Sequence, residues 1–592
     1  VPPAAPWYFR VDRVGTGLLF WLNDGHRDES TARSADRSVY TRRINRIEPP
    51  IRVFLIHVRD PQFYALPAKT RAKNGNIRVM GFPPIGIMSL SAVLKRDGHE
   101  CVMFDQAHPE TPNEFIIDQI RRQKPDLVGL SFLSTTSYPY AKMLARQIRA
   151  VDSTVKLAFG GVFASLNAGL VKLQCPEVDF VCRGDGEQLI LDLLAHLNDP
   201  EPVPGLTWMK DGKVINNPNR PTERNLDQWP FPDRESLNLD FIESMPLDVP
   251  AVLSMERFTT MQTSRGCPWP CVFCDIPMFN DGKWRFRSPE HVLAEFKHLQ
   301  ELDYGAVYFV DDHFLLKPKR IEAICQGLIQ AGNRIEWGVE GRVDSVCQHL
   351  FPIMAKARCR TIMFGVESGS QKILDRLKKE QTLEEVESAV TNAKKAGIEI
   401  VHGFFVVGNP DETLEDIRAT FDFAARLRLD TFGFNRICVY RGTPLWQEYV
   451  QRGLVNDATD WYKYFKCSEI DPTCLTGEVI NRERTAGFRR LFIYKLTHYP
   501  IQTFRLLRRF MRYMPARDVL YLIVKPFLGK KSGQTKAEVI SRAVEHQALK
   551  EAAADFTKLA DHAVEHIIKE SQAERLRIQQ EAEQSAAAGR PA

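Results

Sequence analysis

Thr263-Ser264-Arg265-Gly266-Cys267-Pro268-Trp269-Pro270-Cys271-Val272-Phe273-Cys274 is the stretch that decides how the rest of this chain is read. Its three cysteines stand at the spacing C-x3-C-x2-C in one tight loop marked by Gly266, Pro268 and Pro270. Three thiolates that close cannot pair off as disulfides without leaving one over, but they can ligate a metal. Soft thiolates select iron–sulfur clusters or zinc, and both normally take four protein ligands. Three ligands given to a four-iron cluster leave one iron open to a small molecule. A zinc knuckle would need a second Cys or His pair nearby, which the flanking sequence lacks. The loop follows an apolar, strand-like run, Phe258 to Met261, and a helix-like segment follows at Ser288 to Leu302. That is the layout of the first strand-to-loop crossover of a parallel barrel.

Downstream, strand patterns recur at Ala306–Val310, Ile335–Val339, Thr361–Val366, Ile398–Val407 and Thr431–Tyr440, with apolar-periodic helices such as Arg320–Gln330, Glu384–Ala396 and Leu414–Leu427 between them. Six strand–helix units over 258–453 are too few for a closed eightfold barrel and predict an open, partial one. Chemistry in parallel barrels sits at the carboxyl ends of the strands. Polar residues cluster there, at Asp311-Asp312-His313, Glu340-Gly341-Arg342, Gly365-Val366-Glu367-Ser368-Gly369 and Gly408-Asn409-Pro410.

Upstream, residues 49–197 alternate strands (Ile51–Val58, Cys101–Phe104, Leu127–Ser131, Val155–Phe159, Val178–Cys182) with helices (Ile85–Lys95, Asn113–Gln123, Tyr138–Ala150, Glu187–Leu197). This order predicts a doubly wound, Rossmann-like parallel sheet, which binds ligands outside the carboxyl ends of its strands. Three of those ends carry small residues: Ser131-Phe132-Leu133-Ser134, Gly160-Gly161 and Gly184-Asp185-Gly186-Glu187. Glycines let backbone approach a ligand, and hydroxyls give hydrogen bonds without bulk. Residues 198–257, with a hairpin turn expected at Asp211-Gly212 and the run Trp229-Pro230-Phe231-Pro232, read as a linker.

Both halves resemble known families. The cysteine spacing, with Phe273 just before the third cysteine, resembles the radical S-adenosylmethionine (SAM) superfamily. The N-terminal pattern Ser131-x-Leu133, a gap over residues 134–159, then Gly160-Gly161, resembles cobalamin-binding domains. The family's D-x-H-x-x-G hallmark is altered here to Asp105-Gln106-Ala107-His108-Pro109-Glu110, so His108 is expected not to ligate cobalt. Together the chain is similar to the cobalamin-binding radical SAM group that includes the anaerobic magnesium-protoporphyrin monomethyl ester cyclases and hopanoid-modifying enzymes.

The resemblance implies a 4Fe-4S cluster on Cys267, Cys271 and Cys274, with SAM bound at its open iron and cobalamin on the N-terminal sheet. It assigns Asp311 and Asp312 to the SAM ammonium, Arg342 to its carboxylate, and Glu367 and Ser368 to the ribose or amino-acid portion. Phe273 is a cofactor-binding candidate, and the stretch from Phe405 through Gly408 to Pro410 is the adenine-side candidate. Ser131, Leu133, Ser134, Gly160, Gly161, Gly184, Gly186 and Glu187 fall to cobalamin. The implied chemistry is reductive cleavage of SAM to a 5′-deoxyadenosyl radical, hydrogen abstraction from an unactivated carbon, and methyl transfer to it. The implied substrate is apolar, a lipid or a tetrapyrrole, and the implied electron donor is a ferredoxin or flavodoxin. Oxidative cyclisation, and a non-catalytic corrinoid-binding sensor with a structural cluster, are the other open readings.

Composition frames this. Of 592 residues, 44% are hydrophobic and 26% charged, which is ordinary for globular domains, and a net charge of +5 implies no nucleic-acid partner. Twelve scattered cysteines fit a reducing cytoplasm, and no apolar run approaches the roughly 20 residues of a membrane span. Residues 1–48 read as an irregular extension. Residues 454–592 read as a mainly helical region, in which Arg482–Lys531 is basic and interleaved with aromatic and aliphatic residues. That segment is either a membrane-surface element or a cap packed on the barrel.

Overall fold

The computed structural model describes residues 13–14, 17–18, 50–59, 82–107, 111–135, 137–237, 257–344, 346–455 and 475–513. Residues 1–49 form a unit of their own, in which Arg13–Val14 pairs antiparallel with Gly17–Leu18. The remaining elements belong to the second unit.

Its first sheet has the order β2-β1-β3-β4-β5-β6-β7, with strands β1 Arg52–His57, β2 Glu100–Asp105, β3 Leu127–Ser131, β4 Lys156–Gly160, β5 Phe180–Cys182, β6 Leu206–Lys210 and β7 Lys213–Asn216. The first five are parallel. Val53, Phe54, Leu55 and Ile56 of β1 are all buried, as a central parallel strand covered on both faces requires. The crossovers are α1 Ile85–Arg96, α2 Asn113–Gln123, α3 Tyr138–Val151, the short α4 Val162–Leu166 and α5 Ala168–Gln174, and α6 Gly186–Ala195 follows β5. The order changes direction between β1 and β3, and ligands sit at such a switch point. Asp211 and Gly212 both adopt positive φ, the conformation of a type I′ hairpin, and join β6 to β7. This hairpin pairs with β5, so the segment read as linker begins as part of the sheet.

The second sheet holds six parallel strands in the order β8-β11-β12-β13-β14-β15: β8 Phe258–Met261, β11 Ala306–Phe309, β12 Glu336–Gly341, β13 Cys359–Glu367, β14 Ile400–Val407 and β15 Thr431–Arg436. A small pair, β9 Ser264–Arg265 with β10 Arg285–Phe286, brackets the cysteine loop and the four-residue helix α7 Ile276–Phe279. Around the outside run α8 Pro289–Glu301, α9 Pro318–Gln330, α10 Phe351–Lys356, α11 Gln371–Arg376, α12 Leu383–Lys395 and α13 Leu414–Arg426. Thr382 and Thr413 start α12 and α13 with full capping boxes. Strand alternation divides the side chains. Val307, Phe309, Trp337, Val339, Ile362 and Phe364 pack outward against the helices, while Ala306, Tyr308 and Met363 face the barrel interior with Phe404 and with Phe82 from ahead of α1.

The two sheets share one core. Phe132, Tyr138 and Phe163 of the first belong to the same apolar cluster as Val272 of the cysteine loop, Leu377, and Trp446 of α14 Pro444–Gln451. Beyond the barrel, α15 Gly477–His498 lies on α13. A Cβ on Gly487 would stand 2.4 Å from the Phe421 ring, and Glu483 pairs with Arg418 at 3.2 Å. This helix is the packed cap of the two readings. The next, α16 Pro500–Tyr513, leaves Ile501, Phe504 and Met511 exposed. The rest of the basic segment, His108, and Cys467 and Cys474 lie outside the described residues.

Candidate functional site

The cysteine loop is held at three points. Gly266 sits at φ +88, and a Cβ there would fall 2.0 Å from the Lys283 carbonyl, so no other residue fits. Its N–H donates to Asp312 Oδ2 at 2.6 Å. Val272 N–H donates to Leu377 O at 3.1 Å, and Leu445 N–H to Val272 O at 3.0 Å. Cys267, Cys271 and Cys274 carry no disulfide, and burial pushes all three thiols up. Binding a metal would release those protons. Among the described residues no three His, Cys, Asp or Glu side chains converge as one metal ion requires. A four-iron cluster, whose corners hold its sulfurs several ångströms apart, needs no such convergence.

Two cations flank Cys271. Arg342 Nη1 donates to its Sγ at 3.6 Å and stacks over Trp269 at 4.1 Å. Lys379 lowers the Cys271 thiol from nearby and pairs with Glu367 at 2.7 Å. Both favour an anionic, thiolate-bound cluster. Glu367 adopts φ +65 at a bulge in β13, a strained position for a non-glycine residue. Its carboxylate and the Lys379 ammonium lie over Gly365, where a Cβ would meet them at 2.6 and 2.8 Å. Buried Trp269 Nε1 and His313 Nδ1 have no protein partner. These groups together form a polar cluster of both charges beside the cysteine loop.

Other candidate residues have their side chains engaged elsewhere. Asp311 is buried, and its two oxygens accept from Thr263 N–H at 2.6 Å and from the Thr263 and Ser264 hydroxyls. These three bonds make it a strut for the loop's root. Arg342 spends its fork on Asp344 at 2.9 and 3.0 Å and on the Lys379 carbonyl, which leaves Nη1 for the loop. Ser368 shares its hydroxyl with Thr420 at 3.1 Å and with Ser370 N–H at 3.1 Å. Gly408, at φ +82, donates to Glu412, whose carboxyl burial pushes up to about 7. Phe273 packs on the shared core. Asp312 differs: it opens onto a cavity, and burial by the surrounding protein, with Asp311 and Asp275 nearby, raises it to about 6.

That cavity, of about 250 Å³, lies over the carboxyl ends of β1, β3, β4 and β5. Ser131, Leu133, Gly160, Gly161, Gly184, Gly186 and Glu187 line it, and so do Arg265 and Asp312 of the cysteine-loop side. A Cβ on Gly160 or Gly184 would meet nothing within 4 Å, so these glycines leave space open for a ligand. A Cβ on Gly161 would strike Phe132 O at 2.2 Å. Ser134 caps Ser137 N–H at 3.2 Å. The set presents open backbone and a hydroxyl to the cavity. Replacing Gly160 with Leu is expected to leave the iron content unchanged while weakening cobalamin retention by at least about tenfold, read from bound corrinoid absorbance.

The two sites are joined by charge. Arg265, immediately before Gly266, pairs with Asp185 at 3.2 Å and with Glu187, while Arg285 pairs with Asp185 and donates to Asn280 Oδ1 at 2.7 Å. Burial works to raise Asp185, and the two guanidiniums outweigh it and hold the carboxyl low. Glu187 thus faces Arg265, and the ligand-sheet loop grips the cysteine loop directly. The sequence reading gave no role to Arg265, Lys379 or an interior pair, the Tyr308 hydroxyl donating to Glu340. Their only signal is position beside a motif or at a strand end.

Comparison with known proteins follows these boundaries. Residues 261–424 match the family model described as the radical SAM superfamily, and residues 79–194 match the B12 binding domain. A Pyrococcus horikoshii protein described as an uncharacterized methyltransferase, PH0819, is 32% identical over 424 residues, covering 70% of this chain and 88% of the relative. The anaerobic magnesium-protoporphyrin IX monomethyl ester cyclase of Rubrivivax gelatinosus is 27% identical over 445 residues, covering 72% and 77%. The solved structure of the cobalamin-dependent SAM radical enzyme OxsB with aqua-cobalamin shares the fold, at a TM-score of 0.60 and 17% identity over 88% of this chain and 84% of that one.

Proposed function

This chain belongs to the B12-binding radical SAM enzymes, and from that premise we propose that it transfers a methyl group to an unactivated carbon of a large apolar molecule, a tetrapyrrole or a lipid. The observation that carries the reading is the shared wall: Arg265 and Asp312, which fix the cysteine loop, also line the glycine-floored cavity. A corrinoid there would sit against the cluster loop. The methyltransferase description of PH0819 supports the reaction class, and the name of the Rubrivivax enzyme supports a tetrapyrrole-sized substrate.

Bound together, the reduced cluster supplies the electron that cleaves SAM, and cobalamin carries the methyl group. The protein's part is positioning. Cys267, Cys271 and Cys274 would hold the cluster, Asp312 the SAM ammonium, and Lys379, which lies beside Cys271, its carboxylate. Glu367 would meet the ribose side, with Phe273 and Gly408 on the adenine side. Ser131, Leu133, Gly160 and Gly184 would bed the corrinoid. The apolar interior around Tyr308, Met363 and Phe404 keeps water from the reacting carbon. A ferredoxin or flavodoxin would supply electrons in the cytoplasm, with peripheral contact at the inner membrane surface.

Anaerobic incubation of the reduced holoenzyme with SAM and candidate tetrapyrroles and lipids tests this. The expected result is 5′-deoxyadenosine and a product heavier by one methylene. A product that has lost hydrogens and gained no carbon favours the cyclase reading, for which the Rubrivivax relative speaks.

A further inference from the structure

The far end of the barrel carries a second cleft that the chemistry at the mouth does not use. It has a volume of about 910 Å³ and lies between α16 and the start of β14. Strand β14 is eight residues long, so at about 3.3 Å each the cleft is roughly 25 Å from the cysteine-loop end. Helix α16 is pinned there: Gln502 Nε2 donates to Arg428 O at 3.0 Å and to Asp430 Oδ1 at 2.7 Å, and the Tyr499 hydroxyl ahead of it donates to Arg426 O at 2.9 Å.

The lining is basic. Lys394 is neutralised by Asp430 at 2.8 Å. Lys395, Arg428, Arg505 and Arg508 line the same cleft and make no ion pair among the described residues. Glu399 also lines the cleft but pairs with Arg360 at 3.2 Å, so the four cations without an ion pair among the described residues focus a positive potential that calls for an anion. The rim adds a second feature. Ile501 is 68% exposed, Phe504 62% and Met511 45%, and Ile493 and Leu496 of α15 are exposed beside them. At about 100° per residue, Ile501, Phe504, Arg505, Arg508 and Met511 share one face of α16. Aliphatic and aromatic groups interleaved with guanidiniums on a single exposed face match the boundary of a bilayer, where acyl chains and phosphates lie within one side chain's reach. An acidic electron-donor protein would match the charge alone, and it would stand roughly 25 Å from the cluster it must reduce.

We propose that this face docks the protein on an anionic phospholipid surface, with α16 in the headgroup layer and the cleft taking a lipid phosphate. This locates the membrane contact named above and rests on that part of the reading, independent of which carbon is methylated. It would set the bilayer against the base of the barrel, roughly 25 Å from the cysteine-loop end.

The test is sedimentation of the full-length holoprotein with vesicles of phosphatidylglycerol in phosphatidylcholine, and of phosphatidylcholine alone, at low and high salt. The wild type should sediment with the anionic vesicles at low salt and be released at high salt. An Arg428→Glu/Arg505→Glu/Arg508→Glu variant should lose partition on the order of a hundredfold. Ile501→Ser/Phe504→Ser should also weaken it while keeping its salt dependence. A wild type that stays in the supernatant at low salt overturns the proposal. So does a charge-reversed variant that sediments as well as the wild type. If that variant keeps vesicle binding and loses only reduction by flavodoxin, the cleft belongs to an acidic protein and the proposal also fails. Dithionite-driven SAM cleavage without vesicles reports on the enzymatic reading separately.

Discussion

Cys271→Ala is expected to strip the protein of its iron and abolish SAM cleavage. The wild type, purified without oxygen, should be brown and hold about four irons. Cys271 is the buried middle member of the three, and Arg342 and Lys379 place two positive charges beside its sulfur. Removing it leaves two thiolates, with Arg342 and Lys379 held beside them by Asp344 and Glu367. Two ligands do not retain a four-iron cluster that already leaves one iron without a protein ligand. Iron analysis, the visible spectrum and 5′-deoxyadenosine formation are the measurements. Cys438→Ala is the control, because Cys438, just past the end of β15, is one of the cysteines outside the loop and should be silent. A Cys271→Ala protein with full iron and full activity would sink the assignment of the loop.

The largest stability effect is expected at Glu295. Its carboxylate is fully buried on α8 between Arg234, at 2.6 Å, and Arg287, with no exposed side-chain surface on Glu295 or Arg234. Arg234 comes from the segment before the barrel and also donates to Thr260 O at 2.7 Å. Glu295→Ala leaves two buried guanidiniums without a counter-charge, a change that costs about 3–5 kcal/mol. Glu295→Gln, which keeps hydrogen-bonding capacity and loses the charge, should cost less. Burial works to raise the Glu295 pKa, but the two arginines outweigh it and hold it below the usual carboxylate range. Its stabilising contribution is therefore complete above the unfolded carboxylate pKa and is lost as pH falls through the lower folded value. The gap between wild type and Glu295→Ala in urea midpoint should be full near neutrality and close on acidification. Equal midpoints at pH 7 would show that the triad contributes nothing net.

Much of the molecule is written locally. The spacing from Cys267 to Cys274, Gly266 at a position that admits no Cβ, the four buried residues in a row in β1, and the Thr382 and Thr413 caps all act within a few residues of chain. Local rules of turn, period and ligand spacing therefore recover both sheets, their element order and the cluster loop from the sequence. The Asp211-Gly212 hairpin was legible as a turn, but its pairing with β5 depends on a strand some 24 residues upstream.

What each polar side chain touches was decided only by the tertiary structure. Asp311 sits at a strand end as expected, yet its oxygens are claimed by Thr263 and Ser264, 48 and 47 residues away. Glu187 lies in the first turn of α6 beside the cavity, but its partner Arg265 is 78 residues off, and Arg342 is taken by a neighbour, Asp344, that no pattern marks. A carboxylate or guanidinium pairs with whichever opposite charge the fold brings within reach, and burial strengthens that pairing by removing water. Sequence therefore determined the two folds, the loop and the glycine floor, which depend on backbone conformation and short-range pattern. The working roles of the charged residues, the ionic grip between the two sheets and the basic cleft at the barrel's base depend on which charges folding leaves paired, buried or facing solvent.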